Sequence, residues 1–183
     1  MIHFPSGYEK NVKLWQYVEP VIESNSRFAW IFTGVPGCGK TMAANLIYDA
    51  LVAINANNHR YSAIGISAQQ LYREYLTATE TGKTDDIQSI ESYLCRDLVM
   101  IDDLGWEMET NASKTFFANM LSLQYDHYQD GKMNQCIITT NLNYAGIEKV
   151  YGTRIIDRIC EHYTILAFSN QSYRKDKLRV VKL

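Results

Sequence analysis

One octapeptide narrows the choice of fold more than anything else in this chain. Gly34-Val-Pro-Gly37-Cys-Gly39-Lys40-Thr41 directly follows an apolar run, Phe28-Ala-Trp-Ile-Phe32, and opens a helical stretch from Lys40 to about Ala56. A compact apolar run of this kind reads as a buried strand. Glycine accepts left-handed backbone angles, so Gly34, Gly37 and Gly39 let the turn close tightly. The successive N–H groups of Gly37 to Thr41 can then converge on an anion, at the positive end of the next helix. Strand, G-x-x-x-x-G-K-[ST] turn and helix together select phosphate. Lys40 brings a mobile positive charge to the β- and γ-phosphates of a nucleotide, and Thr41 offers a hydroxyl to Mg²⁺. Pro36, Cys38 and Met42 complete the expected ligand-lining set, Cys38 through its backbone.

A second apolar run, Leu98-Val-Met-Ile101, ends in Asp102-Asp103. Open α/β sheets bind ligands at the carboxyl ends of their strands. Asp102 is therefore expected to hold Mg²⁺, and Asp103 to orient or polarise an attacking water, with Glu107 and Glu109 as alternates. A further strand, Gln135 to Thr140, ends at Asn141. If it lies beside the Asp102 strand, Asn141 reaches the γ-phosphate and positions water. Arg154 and Arg158 stand four residues apart, on one helix face. Their plainer reading is a solvated face with an intrahelical ion pair; the sharper one is a nucleotide held by a neighbouring subunit. The tail from Tyr173 to Lys182 has five bases and one acid, and its Arg174 is placed to return to the nucleotide.

Periodicity predicts helices over 8–24 (kinked or shortened at Pro20), 68–79 (capped by Ser67), about 85–94, about 113–130 and 145–162 (interrupted at Gly152). It predicts further strands over 61–66 and 163–168. Strands alternating with helices give a parallel sheet covered on both faces. The 183 residues suit one domain. We divide it into an N-terminal helical extension, 1–25, and a core, 26–183. A 46% hydrophobic and 21% charged chain is globular, and a net charge of -2 excludes a histone-like polycation. Charge is uneven, however. Residues 85–130 carry ten acids against Arg96 and Lys114, net −8, and 132–183 carry nine bases against four acids, net +5. No apolar run approaches the ~18 residues of a membrane span, and the N-terminus has no secretory pattern. Four cysteines without a C-x-x-C pair suggest reduced thiols in a cytoplasmic protein, with no zinc site.

Taken in order, G-V-P-G-C-G-K-T (34–41), L-V-M-I-D-D-L-G (98–105), T-T-N (139–141), R-I-I-D-R (154–158) and S-Y-R (172–174) resemble an AAA+ ATPase. The likeness is greatest to the DnaC/DnaI-type helicase loaders and the related IstB-like transposition ATPases. It implies an α/β P-loop NTPase fold, with a five-stranded parallel sheet between helices and a minimal or absent lid. It also implies Walker A at Lys40 and Thr41, Walker B at Asp102 and Asp103, sensor 1 at Asn141, sensor 2 at Arg174 and an arginine finger at Arg158, accompanied by Arg154. ATP and Mg²⁺ are the implied ligands. The implied activity is slow ATP hydrolysis stimulated by assembly or DNA. The implied partners are further copies of the chain across the ATP site, single-stranded DNA, and a replicative helicase of the DnaB type in DNA replication. In loaders the segment corresponding to 67–95 faces single-stranded DNA; Tyr72, Arg73 and Tyr75 combine rings and charge suitably there, although the tyrosines can equally pack under the helix. Two departures stand out: Asp103 where many AAA+ proteins have Glu, and only residues 1–25 ahead of the first strand, where loaders carry a helicase-binding domain. Rival readings are a transposase helper, a nucleotide-gated scaffold with little hydrolysis, and a P-loop small-molecule kinase.

Overall fold

The computed structural model describes residues 12–24, 26–81, 92–105, 110–131 and 135–168. Their order is α1 (Val12–Glu23), β1 (Phe28–Thr33), α2 (Lys40–Ile54), β2 (Ala63–Ser67), α3 (Ala68–Thr81), β3 (Leu98–Leu104), α4 (Asn111–Gln129), β4 (Gln135–Thr140), α5 (Tyr144–Tyr151), α6 (Thr153–His162) and β5 (Thr164–Ala167). All five strands are parallel, in the order β2-β3-β4-β1-β5.

β1 and β4 are buried at every position, and their apolar stretches are Phe28–Phe32 and Cys136–Ile138. Successive side chains point to opposite faces. Ala29, Ile31, Val99, Ile101, Cys136 and Ile138 pack under α3, α4, α5 and α6. Phe28, Trp30, Phe32, Leu98, Met100 and Ile137 pack under α1 and α2. On that second face the rings of Phe28 and Trp30 stack at 3.8 Å.

Several boundaries differ from the sequence reading, each for a local reason. α1 runs three residues past Pro20 to Glu23, because the buried Val18 and Ile22 hold its inner face across the lost hydrogen bond. β2 begins at Ala63 rather than at residue 61: the Ser62 N–H and hydroxyl both donate to Asp97 Oδ2, at 2.8 and 2.9 Å, outside the strand ladder. α4 starts at Asn111, two residues early, since the Thr110 Oγ1 accepts the Ser113 N–H at 3.1 Å and caps the first turn. The Ser67 cap holds, its Oγ accepting the Gln70 N–H at 3.2 Å. Gly152, at φ 91 and ψ 162, separates α5 from α6 as expected. Residues 85–91 of the anticipated helix lie outside the described residues.

No helix among the described residues is long and apolar enough to cross a membrane. Cys38, Cys95, Cys136 and Cys160 form no disulfide.

His162, half-buried at the end of α6, gives the fold a pH dependence. Burial first, and the positive charge of Arg27 second, push its pKa from the ordinary 6.5 down to about 4. The unfolded chain therefore takes up a proton at pH values where the folded chain does not. This stability is present above about pH 6.5 and is lost as the pH falls toward about 4. Discounted for solvent screening, the loss is ~1–2 kcal/mol. Between about pH 7 and pH 4.5 the wild-type melting temperature should fall by ~3–6 °C more than that of His162→Gln. Equal slopes in the two proteins would remove His162 as the cause.

Candidate functional site

The strand order sets the site. β4 lies between β1 and β3, so the carboxyl ends of all three open side by side. β1 leads into the glycine turn, β3 ends in two carboxylates, and β4 ends in Thr139-Thr140-Asn141.

Gly37 and Gly39 have φ of 81° and 100°, and Gly39 is the left-handed N-cap of α2. These conformations are strained for any residue with a Cβ. The turn aims Lys40 inward, where it is only 4% exposed. Its ammonium donates to the Gly34 carbonyl at 2.7 Å, the Val35 carbonyl at 3.1 Å and Asn141 Oδ1 at 2.8 Å. Those oxygens explain how a charge sits so deep. Cys38 is buried against the loop, and its Sγ lies 3.8 Å from the same ammonium. Pro36 is exposed at the crest of the turn, and Met42 projects outward from the first turn of α2.

The second half of the cluster centres on Asp102. Its Oδ1 accepts from Thr41 Oγ1 at 2.9 Å and from Thr139 Oγ1 at 2.6 Å. Asp103 follows in the left-handed region, φ 57°, and its N–H donates to Thr139 Oγ1 at 2.9 Å. One residue further along β4, Thr140 Oγ1 donates to the Leu104 carbonyl at 2.6 Å and accepts the Leu142 N–H at 3.0 Å. Lys40 is thus bonded to Asn141, and its chain neighbour Thr41 to Asp102, two side-by-side hydrogen-bonded groups at the strand ends, with Asp103 at the edge of the second. A hydroxyl and a carboxylate on adjacent segments form a hard-oxygen donor set. That suits Mg²⁺, which fills much of its shell with water and phosphate rather than with a protein cage.

Other candidates lie elsewhere. Arg154 is exposed at the start of α6. Arg158, one turn on, rests its guanidinium 5.0 Å from the centre of the Tyr125 ring on α4. Tyr125 in turn donates to Glu161 Oε2 at 2.7 Å, and that bond holds its phenol above the usual range. On α3, Tyr72 is a correction to the base-stacking expectation. It is 6% exposed and packs with Tyr75, Phe116 and Phe117 in the core. Tyr75 is half-buried, 4.4 Å from Phe116, and only Arg73 of the three is exposed. Arg174, Glu107 and Glu109 lie outside the described residues.

Two site residues escaped the sequence reading. Thr139 enters the sequence reading within a strand and within the T-T-N triplet (139–141) but with no role of its own, although a hydroxyl beside buried isoleucines is a signal. Tyr125 gave none, since its pairing with Arg158 depends on how α4 and α6 pack.

Comparison with known proteins fixes the family. A sequence model of the IstB-like ATP binding proteins matches residues 21–180. The chain belongs to the IstB-like ATP-binding protein family. Among its relatives is a protein of insertion sequence IS232 from Bacillus thuringiensis subsp. berliner, 26% identical over 150 residues, covering 79% of this chain and 54% of that protein. Another is the replicative helicase loader DnaC of Buchnera aphidicola subsp. Baizongia pistaciae, 26% identical over 148 residues, covering 80% and 56%. This IstB-like chain therefore spans just over half the length of these curated relatives. Among solved structures, the DnaC helicase loader superposes with a TM-score of 0.72 at 18% identity, over 91% of this chain and 94% of that one. That likeness establishes the fold, a five-stranded parallel sheet between helices with the glycine turn after β1.

Proposed function

We propose that this IstB-like protein binds ATP with Mg²⁺ at the carboxyl ends of β1, β3 and β4, and hydrolyses it slowly. In this reading it assembles with further copies of itself on single-stranded DNA to help place a replicative helicase. One observation carries the reading: Lys40, Thr41, Asp102 and Asn141 come from three separate motifs, yet interlock within 2.8–2.9 Å contacts. The helicase-loader relatives support the replication role.

In this mechanism Lys40 leaves part of its oxygen cradle to hold the β- and γ-phosphates, and the turn's N–H groups bind the rest of the anion. Thr41 and Asp102 are the residues that would hold Mg²⁺, which when bound would supply positive charge to the phosphates. Asp103 and Asn141 orient the attacking water, with Asp103 accepting its proton. Arg158 comes from the adjacent copy to stabilise the transition state, accompanied by Arg154, and Arg174 returns to the nucleotide of its own chain. On α3, Arg73 contacts DNA phosphates.

The IS232 relative favours a second reading, in which the same ATPase serves a transposase on duplex DNA. The deciding experiment measures ATP hydrolysis with and without single-stranded DNA, particle size with and without ATP, and pull-down by a replicative helicase against a transposase. We expect hydrolysis and size to rise together with ATP and single strands, and the helicase to be retained. Retention of the transposase alone, with stimulation by duplex only, transfers the role to transposition. No ATP turnover under any condition rejects the enzyme reading.

A further inference from the structure

We propose that Thr139 is a positioning residue for the metal-holding carboxylate, a role that rests on the nucleotide–magnesium reading of this site. Ile101 pairs with Ile138 and Leu104 with Thr140, so Asp102 and Asp103 together stand opposite the single residue Thr139. That is a β-bulge, and a bulge leaves one residue of the longer strand outside the ladder. Buried backbone groups at such a point need another partner. Thr139 supplies it with one atom. Its Oγ1 accepts the Asp103 N–H at 2.9 Å, and its own proton goes to Asp102 Oδ1 at 2.6 Å.

Thr139 has no exposed surface, whereas Asp102 and Asp103 are partly exposed, so the threonine anchors them from the buried side. A carboxylate oxygen only accepts, so the single hydroxyl proton goes to Asp102 Oδ1, and a lone pair is left to accept the Asp103 N–H. The γ-oxygen therefore stitches the bulge closed and sets the rotation of the Asp102 carboxylate. Thr41 approaches the same oxygen, Oδ1, from the phosphate turn at 2.9 Å. Two hydroxyls from β4 and α2 thereby converge on Oδ1. The bulge also carries Asp103 into its left-handed conformation at φ 57°. Thr139 thus governs how both carboxylates of the pair are presented. Partners that orient a metal ligand in this way typically account for ~10–100-fold in metal affinity.

The test compares wild type, Thr139→Val and Thr139→Ser as full chains. A fluorescent ADP analogue is titrated once in magnesium chloride and once in EDTA, and thermal melting is recorded alongside. Valine keeps the shape and loses both bonds; serine keeps the hydroxyl. Wild type should bind more tightly with magnesium than in EDTA. Thr139→Val should lose ~10–100-fold of affinity in magnesium while changing less than about twofold in EDTA, and Thr139→Ser should follow wild type. Should the valine variant not fold, Thr139→Cys replaces it, its thiol being a much poorer donor of nearly the same size. A valine or cysteine variant that keeps the wild-type magnesium gain overturns the proposal. So does one that loses affinity equally in magnesium and in EDTA, which marks a purely structural threonine. If wild type itself gains nothing from magnesium, the site reading fails and not this inference alone.

Discussion

Lys40→Ala should bring ATP hydrolysis to background and weaken ATP binding by ~10–100-fold, the value of a charge-assisted hydrogen bond lost from a desolvated site. Lys40 is 4% exposed, and its ammonium contacts the glycine turn through Gly34 and Val35. Neutral N–H groups can still hold the anion after the substitution, which is why binding weakens and is not abolished. Lys40→Arg should not rescue. A guanidinium is wider and planar, and the cradle of two carbonyls and Asn141 Oδ1 is built around a point charge. The check is nucleotide titration followed by phosphate release, on protein whose melting curve shows it folded. Turnover within a few-fold of wild type in Lys40→Ala would mean that phosphate binds somewhere other than this turn.

Arg158→Ala carries the second large effect. If the side chain completes the site of an adjacent copy, hydrolysis by the assembled protein should fall ~10³–10⁵-fold. ATP affinity of the isolated chain should stay within about twofold, because Arg158 lies outside the hydrogen-bonded cluster of its own chain. Mixing gives the sharper readout. Arg158→Ala retains an intact nucleotide site, while Lys40→Ala retains the arginine. Each alone is inactive, and the mixture should recover activity where one copy of each kind meets. No recovery, with assembly demonstrated, removes the claim of action between copies. Tyr125 bears on the result, since Arg158 lies 5.0 Å from its ring centre and that ring is tied to Glu161. Such a contact narrows the volume an arginine searches before it meets a neighbour's phosphate.

Much of this was legible in the residue order. The glycine turn, the Asp102 strand and the Asn141 strand each combine a chemical group with a strand end, and parallel sheets gather strand ends on one edge. The sequence could therefore nominate Lys40, Thr41, Asp102 and Asn141 without knowing the strand order. It could not supply their connections. Whether Asn141 meets Lys40 depends on β4 lying between β1 and β3, a long-range fact. The bulge opposite Thr139 was hidden because register has no local signal. Tyr72 shows the opposite failure. Aromatic and basic residues together resemble a nucleic-acid surface, but α3 turns Tyr72 onto Phe116 and Phe117. The helix start at Asn111 and the strand start at Ala63 are decided by side-chain-to-backbone bonds at Thr110 and Asp97, which pattern matching weighs too lightly.

The placement of β1 has a consequence for how the chain is made. Its two neighbours are β4 and β5, both delivered by the far end of the polypeptide. Until Gln135 has been synthesised, Phe28-Ala-Trp-Ile-Phe32 has no native strand on either side. The emerging product thus carries an apolar ribbon with two unmet edges, the arrangement most prone to coalesce with other chains. Loss of β4 and β5 would leave the glycine turn attached to an unsupported strand, so the capacity to hold phosphate is acquired only when residues 135–167 close around β1.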